Sequence, residues 1–162
     1  NTSFAPAWIA EMPPGPAVLP YSCGLQNPPE SLVHVAGAPS IGSSFTLGVD
    51  DPTGITTAPA FAIVAFSTSP MPNYPCGLPI PDWGMIGSSG DLLISIGGGN
   101  PFMQLVSPSL WTTPGTTANV DFFVPSDTNL LGLEMYAQGV LFTPSIFKIG
   151  LTNGVRVGFG VN

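Results

Sequence analysis

Apolar and polar residues alternate most clearly in the last third of the chain, from Asn129 to Asn162. Leu131, Leu133 and Met135 alternate with Gly132, Glu134 and Tyr136, the period-two pattern of a strand with one wet and one buried face. Phe147, Ile149 and Leu151 alternate with Lys148, Gly150 and Thr152, and Val155, Val157, Phe159 and Val161 with Arg156, Gly158 and Gly160. Asn153-Gly154 between these two rows is a hairpin signal. A two-residue loop would put the two rows on opposite faces. A three-residue loop, Thr152-Asn153-Gly154, pairs Leu151 with Val155, Ile149 with Val157 and Phe147 with Phe159, and puts both rows on one face. Because a one-residue slip flips every side chain, burial of a single face selects the three-residue loop, with Gly154 left-handed.

Upstream, short apolar runs are separated by turn residues. The pattern predicts strands over Ser31–Ala36, Ser44–Asp50, Ala60–Ser67, Asp91–Ile96, Phe102–Val106 and Ala118–Val124, then Leu130–Phe142, Ser145–Leu151 and Val155–Val161. Ala60–Ser67 is apolar at every turn of the alternation, as a strand buried on both faces would be. Tyr136-Ala137-Gln138-Gly139 marks a bend or bulge in the long strand. Asp50-Asp51-Pro52-Thr53-Gly54 is a turn, and 69–83 a Pro-rich loop. Residues 1–20 are rich in proline, which removes backbone donors, so they are not a central strand. Phe4, Trp8, Ile9 and Met12 are nevertheless not the residues of a solvated tail. They are the expected contacts of an arm lying on an apolar surface, its own or a neighbour's. The expected organisation is an extended arm over 1–22 and one all-β domain over 23–162: an antiparallel β-sandwich, jelly-roll-like or immunoglobulin-like.

Composition narrows the function. The chain has 162 residues, 7% of them charged against an ordinary share of about 25%. Its net charge of −7 argues against nucleic acid and anionic membrane surfaces as partners. No stretch is long and apolar enough for a transmembrane helix. Low charge with 44% hydrophobic residues leaves two kinds of surface: one neutral and well hydrated, the other apolar and self-associating. Cys23 and Cys76 sit in Tyr-Ser-Cys-Gly-Leu and Tyr-Pro-Cys-Gly-Leu. They read as one disulfide, formed in an oxidising compartment, which would stabilise by roughly 4 kcal/mol. The start at Asn1 without Met fits a processed chain.

Candidate chemistry is sparse. His34 is the sole histidine and lies mid-strand, without a nucleophile motif elsewhere to serve. One His and two paired Cys cannot make a zinc site. Calcium is the metal that the turn carboxylates Asp50 and Asp51 suit, although they lack a defined Asp-x-Asp spacing and Asp is favoured in turns anyway. Glu11, Glu30 and Glu134 are too scattered for a glycosidase pair. Trp83 and Trp111 are candidate glycan contacts if they stack in the open, and plugs of the domain ends if they do not.

The stretches GAPSIGSSFTLGVDDPTG, LLGLEMYAQGVLF and IGLTNGVRVGFG resemble secreted Gly/Pro-rich β domains of large surface proteins in planctomycetes and myxobacteria. The resemblance runs from Gly37 to Val161 and leaves out the arm. It implies a β-sandwich on the cell exterior and brings no catalytic residues. The expectation is therefore a non-enzymatic extracellular subunit without a cofactor that self-associates, into a filament or surface layer, through its arm. The rival is a carbohydrate-binding or adhesin module.

Overall fold

The computed structural model describes residues 15–21, 26–85, 89–96 and 109–161. Among them are ten strands: β1 (Ala17–Tyr21), β2 (Leu32–Gly37), β3 (Ser44–Val49), β4 (Ala60–Ser67), β5 (Leu78–Pro81), β6 (Ser89–Leu92), β7 (Ser109–Trp111), β8 (Ala118–Phe123), β9 (Glu134–Thr143) and β10 (Lys148–Gly158). One 3₁₀ turn, Thr128–Leu130, is the helical element. The described residues are thus all-β, in open antiparallel sheets. A five-stranded sheet runs β1-β10-β9-β4-β7, a three-stranded sheet β2-β3-β8, and β5 pairs with β6. No helix among them is long and apolar enough to cross a membrane.

Alternation explains the main core. Leu32, Phe45, Leu47, Val49 and Val120 of the three-stranded sheet share one buried cluster with Val64, Trp111, Ala137, Leu141, Val155 and Val157 of the five-stranded sheet. The reverse face of the five-stranded sheet carries a smaller cluster, with Ala65 and Leu151 from the sheet and Leu92 and Ile94 from β6 and its continuation. This double coverage is why β4 is apolar throughout. Val64 and Phe66 face one cluster and Ala65 the other.

Two sequence expectations are corrected here. Asn153-Gly154 is not a hairpin loop but lies inside β10, which continues unbroken from Lys148 to Gly158. Leu151 pairs with Val140 and Gly154 with Gln138, so β10 carries one more residue than β9 across this interval. That bulge moves Ile149 and Leu151 to one face and Val155, Val157 and Phe159 to the other. The loop argument assumed a single buried face, and this sheet has two. Gly154 is not left-handed. Glycine fits because a Cβ there would lie 2.9 Å from the carbonyl oxygen of Tyr21. The true β9–β10 turn is 144–147, closed by Thr143 opposite Lys148.

The second correction concerns the arm. Ala17–Tyr21 is an edge strand, with Ala17 opposite Gly158 and Tyr21 opposite Gly154. Pro20 is tolerated because one side of an edge strand needs no donor. The domain therefore begins before residue 22. Residues 1–14, with Phe4, Trp8, Ile9 and Met12, lie outside the described residues, as does the strand expected at Phe102–Val106. Strands β5 and β7 were not expected, since Pro79 and Pro81 mask one and the other has three residues.

Candidate functional site

The β10 bulge is held by buried amides. Asn153 accepts from the Leu32 backbone N–H at 2.7 Å and donates to the Leu32 carbonyl at 3.1 Å. The Ser31 hydroxyl adds a bond to Asn153 Oδ1 at 3.1 Å. On the other side, Asn27 and Gln138 each donate to the carbonyls of Asp91 and Thr152, at 2.7–2.9 Å. Asp91 N–H returns a bond to Asn27 Oδ1 at 2.8 Å, and Leu93 N–H one to Gln138 Oε1 at 2.9 Å. These side chains tie β10, β9, β2 and β6 together. They are amides and hydroxyls with their partners filled, which suits a scaffold rather than proton transfer. Burial pushes the Asp91 carboxyl above its ordinary pKa, partly offset by a bond from the Gln26 backbone.

The calcium candidates are committed elsewhere. Asp50 accepts from Trp111 Nε1 at 2.8 Å and from Gly115 N–H at 3.0 Å. Asp51 is fully buried and accepts from the backbone N–H of Thr53 at 2.9 Å, from that of Thr56 at 2.6 Å, and from the Thr53 hydroxyl. Burial raises the Asp51 pKa, but these bonds outweigh it and hold it below the ordinary value. The carboxylates therefore serve their own turn and the Trp111 ring. Among the described residues no three His, Cys, Asp or Glu side chains converge on one point.

Trp111 is 1% exposed and cannot act as a surface stacking platform. It plugs one end of the main core, the structural alternative. Trp83 is half-buried. Its carbonyl accepts from Leu151 N–H at 3.0 Å, and its ring borders an apolar pocket of about 240 Å³ with Ile63, Val140, Ile149 and Ile96. Two glycan-stacking tryptophans therefore do not share a surface. His34 is exposed on β2, and its Nε2 lies 2.6 Å from the Gly37 carbonyl at that strand's own irregularity. Glu134 pairs with Arg156 at 2.7 Å, across β9 and β10. Cys76 is not a free thiol, and Cys23 lies outside the described residues.

What the structure does gather is apolar surface, in two places. On the reverse face of the five-stranded sheet, Leu110, Phe61, Phe142 and Ile149 occupy matching positions on four consecutive strands. At about 4.8 Å per strand the row is roughly 15 Å wide. Leu110 is 56% exposed and Phe61 40%. Phe147 in the adjoining turn packs edge-on against Phe142 at 6.1 Å, yet is 86% exposed, and it holds a φ of 49°. A bulky residue in the left-handed region is strained, and such strain gathers at functional positions. The second place is the end of the main core opposite Trp111. There Phe45 stacks on Phe122 at 5.2 Å and Phe66 meets Phe122 edge-on at 4.8 Å, around a pocket of about 200 Å³ rimmed by Phe123, Leu130, Met135 and Phe159.

The sequence reading named none of these residues as functional. The signal was present in Pro144-Ser145-Ile146-Phe147, where two large apolar residues follow a proline in a loop. Comparisons with protein-family models, with curated proteins and with solved structures find no match to this chain.

Proposed function

We propose that this chain is an extracellular structural subunit, a β-sandwich that self-associates into a filament or surface layer. The observation that carries the reading is the open apolar row Leu110-Phe61-Phe142 with Phe147 beside it. Exposed apolar surface of this continuity marks an interaction site. The partner is another copy, because a chain with only two Lys or Arg offers little else to recognise. The blocked thiol at Cys76 supports an oxidising compartment. The amide-filled interior and the carboxylates spent on turns speak against catalysis. The burial of Trp111 speaks against the glycan-binding alternative.

Light scattering and negative-stain microscopy test this on the full chain and on Phe147→Asn. Asparagine tolerates a positive φ, so relief of strain offsets the lost ring contact, and stability should change by less than about 1 kcal/mol. The expected result is regular assemblies of the parent chain and smaller species from the variant. A monomer at tens of micromolar, or assemblies indifferent to the variant, would overturn the proposal.

A further inference from the structure

We infer that the pocket at the open end of the main core is the acceptor for the apolar arm of a second copy, with Trp8 as the anchor. The inference rests on the self-association reading and names its second contact. The two ends of the core differ. One is closed by Trp111, which is held to Asp50. The other holds the pocket, floored by the Phe45, Phe66 and Phe122 rings, with Phe123 on its rim 68% exposed. An apolar cavity of about 150 Å³ takes up a benzene molecule, so this pocket of about 200 Å³ is the size for one aromatic side chain.

The start of β1 and the pocket lie at the same end. Strand β1 enters opposite Gly158, and Pro16 packs so closely on Gly160 that a Cβ there would meet it at 2.6 Å. Phe159, next to Gly160, lines the pocket. Gly15 thus lies beside the pocket mouth. Pro13 and Pro14 lack backbone donors, which disfavours a close return of this stretch onto its own sheet edge. At about 3.3 Å per residue the stretch from Gly15 back to Trp8 can reach at most roughly 20 Å, enough to cross to a facing copy. With both elements at one end, two copies face each other and exchange arms reciprocally, closing a two-fold dimer. The apolar row on the sheet's reverse face then joins dimers.

Sedimentation equilibrium of the full chain in the Phe147→Asn background isolates this contact. The expected species is a dimer, weakened about thirtyfold by Trp8→Ala and by Phe123→Glu, with the double variant no weaker than either. Phe123 is exposed enough that the Phe123→Glu chain should keep its far-ultraviolet spectrum and melting temperature. A dimer indifferent to Phe123→Glu overturns the pocket assignment. A blue-shifted emission that Trp8→Phe removes, and that survives dilution to monomer, overturns the second copy as occupant. If the parent chain and its variants are all monomeric, the self-association reading fails. A labelled peptide of residues 1–12 then decides the pocket alone: saturable binding lost in Phe123→Glu upholds it, and binding that is absent or unaffected overturns it.

Discussion

At the scale of single residues, Asn153 does the most. Its amide satisfies both backbone groups of Leu32, a residue that is itself buried. Asn153→Ala should cost about 3 kcal/mol, the penalty of orphaning a buried donor and acceptor, read as a shift in urea midpoint at unchanged slope. Two buried carboxyls give opposite pH signs. Asp51 titrates below the ordinary value of 3.8, so its contribution is present above that pH and is lost as pH falls through the lowered folded value. Asp91 titrates above 3.8, so its contribution is full at lower pH and is lost as pH rises through the raised folded value. Denaturation between pH 3 and pH 7 should therefore show that Asp51→Asn loses stability at pH 7 and less at pH 3. Asp91→Asn should keep or gain stability at pH 7, because the amide oxygen still accepts from Gln26 without a buried charge.

At the scale of elements, β10 is the strand that decides the fold. Its bulge lets one strand feed two cores, and the extra residue has a testable consequence. Deleting Asn153 restores a regular register and drives Val155, Val157 and Phe159 off the main core. That variant should show no cooperative unfolding transition by circular dichroism, whereas Asn153→Ala, which keeps the residue count, should keep one. The same strand shows what was legible in the sequence. Both of its apolar rows were, because alternation reports a buried face directly. The reversal between them was not, because the cover of the second face comes from the Pro-rich Leu78–Pro81 and from Ser89–Leu92, which carry no alternation to announce a sheet. Strand β4 was read with its true bounds and its double burial, since burial on both faces leaves an unbroken apolar run. Trp111 was legible as a candidate plug, but its partner Asp50 is 61 residues away and nothing local connects them. The apolar row across β7, β4 and β9 needed the strand order, which alternation does not encode.

At the scale of the whole molecule, charge and apolar surface oppose each other. The chain carries a net charge of −7, so copies repel, while under the proposed self-association the row beside Phe147 and the pocket behind Phe123 would attract without ions. Of the two cationic side chains, Arg156 is already engaged by Glu134 within its own chain. Ion pairs between copies therefore have little to draw on, and salt should act by screening repulsion. The screening length falls from about 30 Å at 0.01 M to about 10 Å at 0.1 M, the range over which most of the effect should appear. Sedimentation velocity should show association tightening as sodium chloride rises through that range. It should tighten again as pH approaches the pI of 4.1, where the net charge vanishes. That approach stays above 3.8, where most of the Asp51 contribution is still in place, so the gain is read on a folded chain. An assembly that loosened with salt would require charged contacts between copies and would remove the apolar row as the cause.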